Sequence, residues 1–226
     1  MESLDLGGLV GLRVRNNLLL RSNRITKRAL DLALTVPLLM LTAPVLALVA
    51  VAIKLASRGP VFYVQMRRGE NGRSIRVLKL RTMHVDAEER LQALLRNDSE
   101  ARAQWQEFFK LRNDPRIIPL VGHFLRRSSL DELPQLLNVL RGDMSLVGPR
   151  PFPDYHLQQF PSEFLALRQN VPPGITGLWQ VSSRSDGNLS VQQALDLHYI
   201  KNWSLWLDFY ILFRTVFVVL NGQGAR

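Results

Sequence analysis

A long apolar segment near the N-terminus constrains this chain more than any other feature. No charged residue occurs between Leu32 and Ile53, and roughly 20 apolar residues are enough for a helix to span a bilayer. The competing interpretation is a core helix buried inside a soluble protein, but such helices usually have shorter uncharged segments. We therefore expect residues 25–57 to form a membrane helix.

Two prolines and the flanking charges favour a helix that enters the bilayer and returns. Pro37 and Pro44 each lack a backbone donor, and Pro44, near the middle, is the expected break in the helix. Basic residues prefer the cytoplasmic face, and they flank the segment on both sides, so both ends are expected there. They are Arg21, Arg24, Lys27 and Arg28 before it and Lys54, Arg58, Arg67 and Arg68 after it. A straight span, with its ends on opposite faces, remains the alternative.

The rest of the chain predicts one mixed domain, predominantly helical with a small β-hairpin. The segments Val61–Val64 and Ile75–Leu80 are typical of strands, and Asn71-Gly72 between them indicates a hairpin turn. Helices are predicted for residues 85–111 and from Ser128 or Ser129 to Leu140.

The two ends of the chain are predicted to differ. Residues 1–24 form a flexible extension, in which Glu2 and Asp5 stand where a signal peptide would carry basic residues. Residues 58–226 form the single folded domain. The apolar stretch Trp203–Leu220 predicts an amphipathic helix that either lies in the membrane interface or packs on the domain, and both interpretations stay open.

The charge balance points to anionic partners. The chain has 29 Lys and Arg against 19 Asp and Glu, and such a protein is suited to nucleic acid, anionic lipid or phosphorylated substrates. It has no cysteine, which excludes disulfides, a thiolate nucleophile and Cys-ligated metal sites. The histidines lack the spacing of metal ligands; they are His84, His123, His156 and His198.

Asp131 and Glu132 are the central candidates for chemistry, and two interpretations of them stay open. Ser129-Leu130-Asp131-Glu132 has the pattern of a capping box, which needs no function. Alternatively, an ionised aspartate near a helix N-terminus can act as a nucleophile. The surroundings favour chemistry, because arginine binds phosphate oxygens bidentately and Asp143 adds an oxygen ligand suited to Mg²⁺. The nearby arginines are Arg126, Arg127, Arg141 and Arg150.

Four stretches of the sequence together resemble a known family. They are Lys27-Arg28 ahead of the apolar segment with Pro44, Lys79–Met83 (KLRTM), Ser129–Pro151 (SLDELPQLLNVLRGDMSLVGPRP) and Pro173–Gln180 (PGITGLWQ). From residue 25 onward the chain resembles the bacterial sugar transferases. These are monotopic polyprenyl-phosphate sugar-1-phosphate transferases, also called phosphoglycosyl transferases. The third stretch is long and very specific.

The resemblance implies a fold and a reaction. A re-entrant helix broken at Pro44 would join a catalytic domain, residues 58–226, on the cytoplasmic face of the bacterial inner membrane. Asp131 would attack the β-phosphate of a UDP-sugar and release UMP, and undecaprenyl phosphate would then attack the covalent phosphosugar intermediate. Glu132 would assist with Mg²⁺ or with protons. The reaction starts exopolysaccharide or surface glycan synthesis, which downstream glycosyltransferases continue; a homodimer is a further expectation.

The resemblance also implies substrate and metal contacts. The expected phosphate- and substrate-binding residues are Lys79, Arg81, Arg126, Arg150, Gln180 and Arg184. The expected metal ligands are Asp131, Glu132, Asp143 and Asp196. The sequence departs from the family at Leu80, where Phe is usual, and at Ser183-Arg184-Ser185, where a Gly-Arg-Asn-like turn is usual. The second departure affects the backbone of that loop.

The sequence leaves open which sugar is transferred and whether the chain is an enzyme or an adaptor. The chain resembles compact members of the family, which lack the N-terminal spans of larger relatives and for which galactose or glucose is expected. A UDP-N-acetylated or deoxyamino sugar is the second candidate. A non-catalytic membrane adaptor is the alternative from another class, although Asp131 and Glu132 are both present. The uncharged segment argues against a nucleic-acid partner and for the lipid bilayer.

Overall fold

The N-terminal residues of the domain form a short strand pair and a turn. The computed structural model describes residues 2–5, 10–13, 16–108, 111, 113–182 and 189–221. Strands β1 (Glu2–Asp5) and β2 (Val10–Arg13) pair antiparallel. A 3-10 turn, Asn17–Leu19, then leads into the first helix and places Leu18 in the main core. The last residues before the helix are therefore packed on the domain.

The first helix, α1, spans Arg21–Ala56 and contains both Pro37 and Pro44. Among the described residues it is the one helix long and apolar enough to cross a membrane, and 6% of its most apolar 18-residue window is buried. A core helix would bury most of that window, so the structure contradicts the core-helix interpretation and agrees with a membrane helix. The helix is continuous through Pro44, and the break there stays a prediction.

The predicted hairpin is confirmed. Strands β3 (Phe62–Arg68) and β4 (Ser74–Leu80) pair antiparallel in a register that places Gln65 and Lys79 on one face. In the turn, Asn71 and Gly72 have φ values of 55° and 70°. Asparagine and glycine tolerate this left-handed region best, which explains why the dipeptide marks the turn.

The long helix predicted for residues 85–111 is two helices in the structure, α2 (Ala87–Asn97) and α3 (Ser99–Phe108). Asp98 separates them because its backbone is extended and its carboxylate accepts a hydrogen bond from the Ala101 amide at 2.9 Å. This is the behaviour of an N-cap residue, which ends one helix and begins the next.

The next predicted helix, which should run to Leu140, is also divided. Helix α4 (Val121–Ser128) ends at Ser129, whose φ of 57° is left-handed. A single 3-10 turn spans Leu130–Glu132, and α5 (Gln135–Arg141) follows. The acidic pair therefore lies in a tight turn between two helices, not in the first turn of one long helix.

A parallel pair of short strands lies in the core. The sequence predicted an extended segment at Met144–Val147, which contains the first strand, but neither the second strand nor the pairing. Strand β5 (Ser145–Val147) pairs with β6 (Gly174–Thr176). The backbones approach so closely beside them that a Cβ atom on Gly174 would lie 2.1 Å from the Gly148 amide nitrogen. Strands of three residues carry too little periodicity for recognition in a sequence.

Five further helices complete the domain around this strand pair. They are α6 (Asp154–Leu157), α7 (Ser162–Arg168), α8 (Leu178–Ser182), α9 (Leu189–Asn202) and α10 (Leu205–Leu220). The main core contains residues of α5, β5, α9 and α10, with Tyr199 and Ile211 almost fully buried. The expectation of a mixed, predominantly helical fold with a small hairpin is confirmed.

Helix α10 has two apolar faces in different surroundings. Ile211 and Val218 are buried against the domain, whereas Trp206, Phe213 and Leu220 are 83%, 67% and 79% exposed. One face therefore packs on the domain, as one interpretation required. The other face is available to a membrane interface, as the second interpretation required.

A buried ion pair joins α1 to α10. Lys27 Nζ lies 2.7 Å from Asp208 Oδ2, and both side chains are almost fully buried. Tyr199 Oη donates to Asp208 Oδ1 at 2.8 Å, and Trp203 Nε1 donates to Asp208 Oδ2 at 3.1 Å. A buried carboxylate needs such partners because burial removes its hydration, so these contacts fix the base of the membrane helix on the domain.

We predict that Lys27→Met destabilises the protein by about 3–5 kcal/mol, because it leaves a buried carboxylate without its cation. The measurement is the free energy of unfolding by denaturant in detergent micelles. Arg68→Met is the matched control, since Arg68 pairs with Asp154 on the surface, and its loss should be much smaller. Equal losses in the two variants would contradict an anchoring role for the buried pair.

Candidate active site

The candidate site forms where three distant segments meet at Glu132. Its Oε1 atom accepts from Lys79 Nζ at 2.8 Å and from Arg150 Nη2 at 3.0 Å. Lys79 comes from β4, Glu132 from the 3-10 turn, and Arg150 from the turn after β5. The structure thus brings together three of the residues predicted for the site.

The local backbone shows that the capping-box interpretation of the acidic pair is wrong. Ser129 is left-handed and its side chain makes no capping hydrogen bond. The turn is instead closed by backbone bonds, from the Glu132 amide to Ser129 O at 3.2 Å and from the Leu133 amide to Leu130 O at 3.2 Å. Glu132 is therefore available for Lys79 and Arg150.

Asp131 has an unusual acidity for an aspartate. Burial, followed by the negative charge of Glu132, raises its pKa to about 6, while the charges of Lys79 and Arg126 oppose the rise. A carboxylate with this pKa is mostly ionised at pH 7. It is also more basic than an ordinary aspartate, which suits a group that must attack or accept charge.

Glu132 has the opposite shift. Burial alone would raise its pKa, but the charges and hydrogen bonds of Arg150 and Lys79 lower it to about 2. Glu132 therefore stays ionised at any physiological pH. Two adjacent carboxyl groups with pKa values pushed apart are typical of acid–base and nucleophilic sites.

Arg126 approaches the pair from the side of α4. Its Nε atom donates to Thr82 Oγ1 at 3.1 Å, and its charge is close enough to lower the pKa of Asp131. The structure therefore places Arg126 near the acidic pair, and its predicted role in phosphate binding stays a prediction. Asp131 thus faces Lys79 and Arg126, while Glu132 is held by Lys79 and Arg150.

A narrow cleft opens beside Glu132. One wall is the hairpin face with Gln65, Arg67, Val77 and Lys79, and the other contains Glu132, Gln135, Arg150, Phe152 and Ile175. Neither Gln65 nor Gln135 was among the residues predicted for the site. Their signals were present, since Gln65 shares a hairpin face with Lys79 and Gln135 lies inside the longest motif.

Arg81 does not lie in this cleft. Its Nη1 donates to Arg58 O at 2.9 Å and its Nη2 donates to Ser57 O at 2.8 Å. The side chain is buried, and these carbonyls lie just past the C-terminal end of α1. The structure therefore places Arg81 as an anchor for the membrane helix, in contrast to the predicted phosphate contact.

Gln180 is likewise committed to the backbone. Its Nε2 donates to Ile175 O at 3.0 Å, and the residue is buried. It supports the backbone of β6 and does not line the cleft. Arg184, the remaining predicted substrate contact, lies outside the described residues.

Asp143 and Asp196 lie away from the acidic pair. Asp143 follows the C-terminal end of α5, and the seven residues of that helix separate it from Glu132 by about 10 Å. Asp196 is buried and accepts from Arg168 Nε at 3.0 Å. The structure therefore does not bring the four predicted metal ligands together.

The buried Arg168–Asp196 pair supports the site from behind. The Nη2 atom of Arg168 donates to the carbonyl oxygen of Arg150. Arg168 thereby connects α9 to the turn that carries Arg150, and it fixes that backbone. No local pattern in the sequence distinguishes Arg168 from a surface arginine.

Magnesium stays a prediction at the acidic pair, where a substrate would have to contribute ligands. Mg²⁺ in proteins is usually held by one or two carboxylates, substrate phosphates and water, and Asp131 with Glu132 is such a donor set. Within the described ranges no group of three or more acidic or histidine side chains could hold a metal. Phosphate oxygens of a bound substrate would supply further ligands.

The sequence matches known proteins over most of its length. A family model described as bacterial sugar transferase matches residues 22–222. A Haemophilus influenzae protein named "Uncharacterized sugar transferase" is 47% identical, over 95% of this chain and 45% of its own length. The "UDP-galactose-lipid carrier transferase" of Erwinia amylovora is 46% identical, over 95% of this chain and 44% of its own.

A shorter relative matches along nearly its whole length. The "Exopolysaccharide production protein ExoY" of Rhizobium meliloti is 40% identical, over 89% of this chain and 88% of its own. This chain thus spans slightly less than half of the two longer relatives and most of the shorter one. The matched residues include every described member of the candidate site.

We predict that the Asp131 carboxyl titrates near pH 6, from its pKa of about 6. Substitutions of its two charged neighbours should shift this pKa in opposite directions. Glu132→Gln removes a negative charge and should lower the pKa of Asp131. Lys79→Met removes a positive charge and should raise it. The measurement is ¹³C NMR of labelled aspartate, with Asp131→Asn identifying the signal. A value near 3.8 in the unsubstituted protein would contradict the assignment.

Proposed function

Since the chain belongs to the bacterial sugar transferase family, we propose that it transfers a hexose 1-phosphate from a UDP-sugar to undecaprenyl phosphate. Relatives carry names that state this kind of reaction, among them "Undecaprenyl-phosphate galactose phosphotransferase" from Salmonella typhimurium. The observation that carries the proposal is the Asp131–Glu132 pair with Lys79, Arg126 and Arg150 around it. Phosphoryl transfer needs such a nucleophile among cations.

The first step makes a covalent intermediate on Asp131. One oxygen of its carboxylate attacks the β-phosphorus of the UDP-sugar. The bond between that phosphorus and the bridging oxygen breaks, and UMP leaves with the electron pair. No proton is required, because the charge of the carboxylate is transferred to the departing UMP.

The second step regenerates Asp131. A phosphate oxygen of undecaprenyl phosphate attacks the same phosphorus, and the Asp131 carboxylate leaves. The product is a sugar diphosphate lipid. This ping-pong sequence is supported by the pKa of Asp131, about 6, because the carboxylate is ionised for attack at pH 7 and departs without needing a proton.

The cations stabilise the charge that develops on the phosphate oxygens. Lys79 and Arg150 lie beside Glu132, and Arg126 lies beside Asp131. Bound Mg²⁺, held by Asp131 and Glu132, would add Lewis-acid stabilisation of the phosphate charge. Lys79 and Arg150 also keep Glu132 ionised with a pKa of about 2, which suits a metal ligand.

Galactose or glucose is the sugar that we propose. One relative is named for UDP-galactose, and an Escherichia coli relative, 43% identical, is named "UDP-glucose:undecaprenyl-phosphate glucose-1-phosphate transferase". These names are divided between the two sugars, so the donor must be screened. UDP-N-acetylated and deoxyamino sugars belong in the same screen as the alternative donors.

The decisive test is exchange of labelled UMP into the UDP-sugar without lipid acceptor. A ping-pong enzyme catalyses this exchange, because the first step is reversible before the lipid arrives. We predict exchange by the unsubstituted protein with Mg²⁺, and a loss of at least about 10³-fold in Asp131→Asn, which removes the nucleophile.

Asp143→Asn is the matched control for that test, since Asp143 is a carboxylate at the far end of α5, away from the acidic pair, and the variant should retain exchange. Exchange by Asp131→Asn at the control rate would remove Asp131 from its role. Transfer to lipid without any exchange would favour a single displacement. No exchange and no transfer with any donor would favour the membrane adaptor.

We propose further that α1 enters the bilayer from the cytoplasmic face of the inner membrane and returns to it. Near its N-terminal end, Arg28 donates to the carbonyls of Val139 and Leu140 at 2.5 and 2.9 Å. At its other end, Arg81 holds the carbonyls of Ser57 and Arg58. Both ends are thus attached to one domain, which supports a re-entrant helix over a straight span.

Thiol labelling tests this topology, and the absence of native cysteine makes each introduced thiol unique. Ser22→Cys, in the first turn of α1, and Ser74→Cys, beyond its C-terminal end, are both at exposed positions. Both should react with an impermeant maleimide from the same side of sealed vesicles. Met40→Cys, between the two prolines, should react only after detergent is added. Labelling of the first two from opposite sides would establish a straight span.

A further inference from the structure

Gln135 is a buried side chain that the proposed mechanism leaves unused. It begins α5 three residues after Glu132 and is 3% exposed. Its carboxamide has no hydrogen-bond partner among the described residues, yet it lines the cleft beside Glu132, Lys79 and Arg150. An amide that lines a cleft and makes no hydrogen bond to the protein keeps its donor and its acceptor available to a ligand bound there.

The position of Gln135 identifies the part of the donor that would reach it. One turn of chain separates it from Glu132, so it lies close to the place where the reacting β-phosphate is bound. The transferred sugar is bonded directly to that phosphate. The uracil base is separated from it by the ribose and the α-phosphate, and so lies farther away.

The cleft wall also favours a sugar over a base. Nucleobases commonly stack on an aromatic ring, and Phe152 is the aromatic residue that lines the cleft. Its ring is stacked on His156 with centroids 4.2 Å apart, and the Arg168 guanidinium lies 5.0 Å from its centre. The ring is therefore occupied by other parts of the protein.

The polar wall of the cleft matches hydroxyl groups. Gln65 also lines the cleft and, like Gln135, has no hydrogen-bond partner in the part of the chain that the structure describes. A carboxamide offers both a donor and an acceptor, and a hexose hydroxyl needs both. We propose that Gln135 is a specificity-determining residue that hydrogen-bonds a hydroxyl group of the transferred sugar, a role that rests on the proposed function.

Ligand binding in an inactive background tests this without depending on turnover. The protein is Asp131→Asn, with and without Gln135→Met, and calorimetry measures the affinities for UDP-glucose, UDP-galactose and UMP. We expect Gln135→Met to weaken binding of the preferred UDP-sugar by about 10- to 100-fold, the effect of one lost hydrogen bond to a buried amide. UMP lacks the transferred hexose, so its affinity for the Gln135→Met variant should stay within about twofold of its affinity for the parent.

The hydroxyl itself is identified with deoxy donors. If Gln135 contacts one hydroxyl, the parent protein should bind the donor without that hydroxyl more weakly than the complete donor. The Gln135→Met variant should bind this deoxy donor with the same affinity as the parent does, because the two groups are coupled in a double-mutant cycle. Gln135→Glu, which keeps the size and the acceptor, should retain this selectivity in part. Matching melting temperatures of the variants show that the fold is intact.

The other outcomes overturn the inference in distinguishable ways. Equal weakening of UMP and UDP-sugar would place Gln135 at the nucleotide. Unchanged binding of both, or additive losses with every deoxy donor, would show that Gln135 contacts no hydroxyl while leaving the transferase proposal intact. Absence of any UDP-sugar binding by the parent would overturn both the inference and the donor class on which it rests.

Discussion

The double ion pair at Glu132 is the interaction on which the candidate site depends. It joins β4, the turn before α5 and the turn after β5, which are far apart in sequence, through contacts of 2.8 and 3.0 Å. Because Lys79 and Arg150 also keep Glu132 ionised, the negative charge beside Asp131 is permanent. That charge, together with burial, sets the acidity of Asp131. Lys79, Glu132 and Arg150 therefore both hold the three segments together and influence the acidity of Asp131.

The membrane helix is attached to this site by polar contacts at both of its ends. Lys27 pairs with Asp208, and Asp31 Oδ1 accepts from the Leu146 amide in β5 at 3.0 Å. Arg81 holds the opposite end from a position two residues beyond Lys79. The lipid phosphate and the UDP-sugar would thus meet at a domain that is fixed relative to the bilayer. Separating a buried ion pair leaves an uncompensated charge, which destabilises the protein strongly. The buried pairs therefore hold the helix on the domain.

The sequence predicted the elements with strong local signals and missed those that depend on distant contacts. Asn71-Gly72 marked the hairpin, and the uncharged segment marked α1. The family motif marked Asp131 and Glu132, but the capping-box pattern at Ser129 was misleading because the backbone there turns left-handed. Arg81 and Gln180 looked like ligand contacts, yet both bind backbone carbonyls. The local sequence does not determine where a side chain points. Gln65, Gln135 and Arg168 could therefore be assigned to the site only from the three-dimensional structure.

The raised pKa of Asp131 lowers the free energy of unfolding at neutral pH, and the cations around Asp131 reduce this loss. A carboxyl group whose folded pKa is raised from 3.8 to about 6 binds its proton more tightly in the folded state. Its contribution to stability therefore falls as pH rises from 3.8 through about 6, and at pH 7 the ionised group opposes folding. Lys79 and Arg126 reduce this cost without abolishing it. If their charges lowered the pKa of Asp131 to that of an ordinary aspartate, the carboxylate would be less basic. In the reaction that we propose, the partly compensated carboxylate is therefore the better nucleophile toward phosphorus.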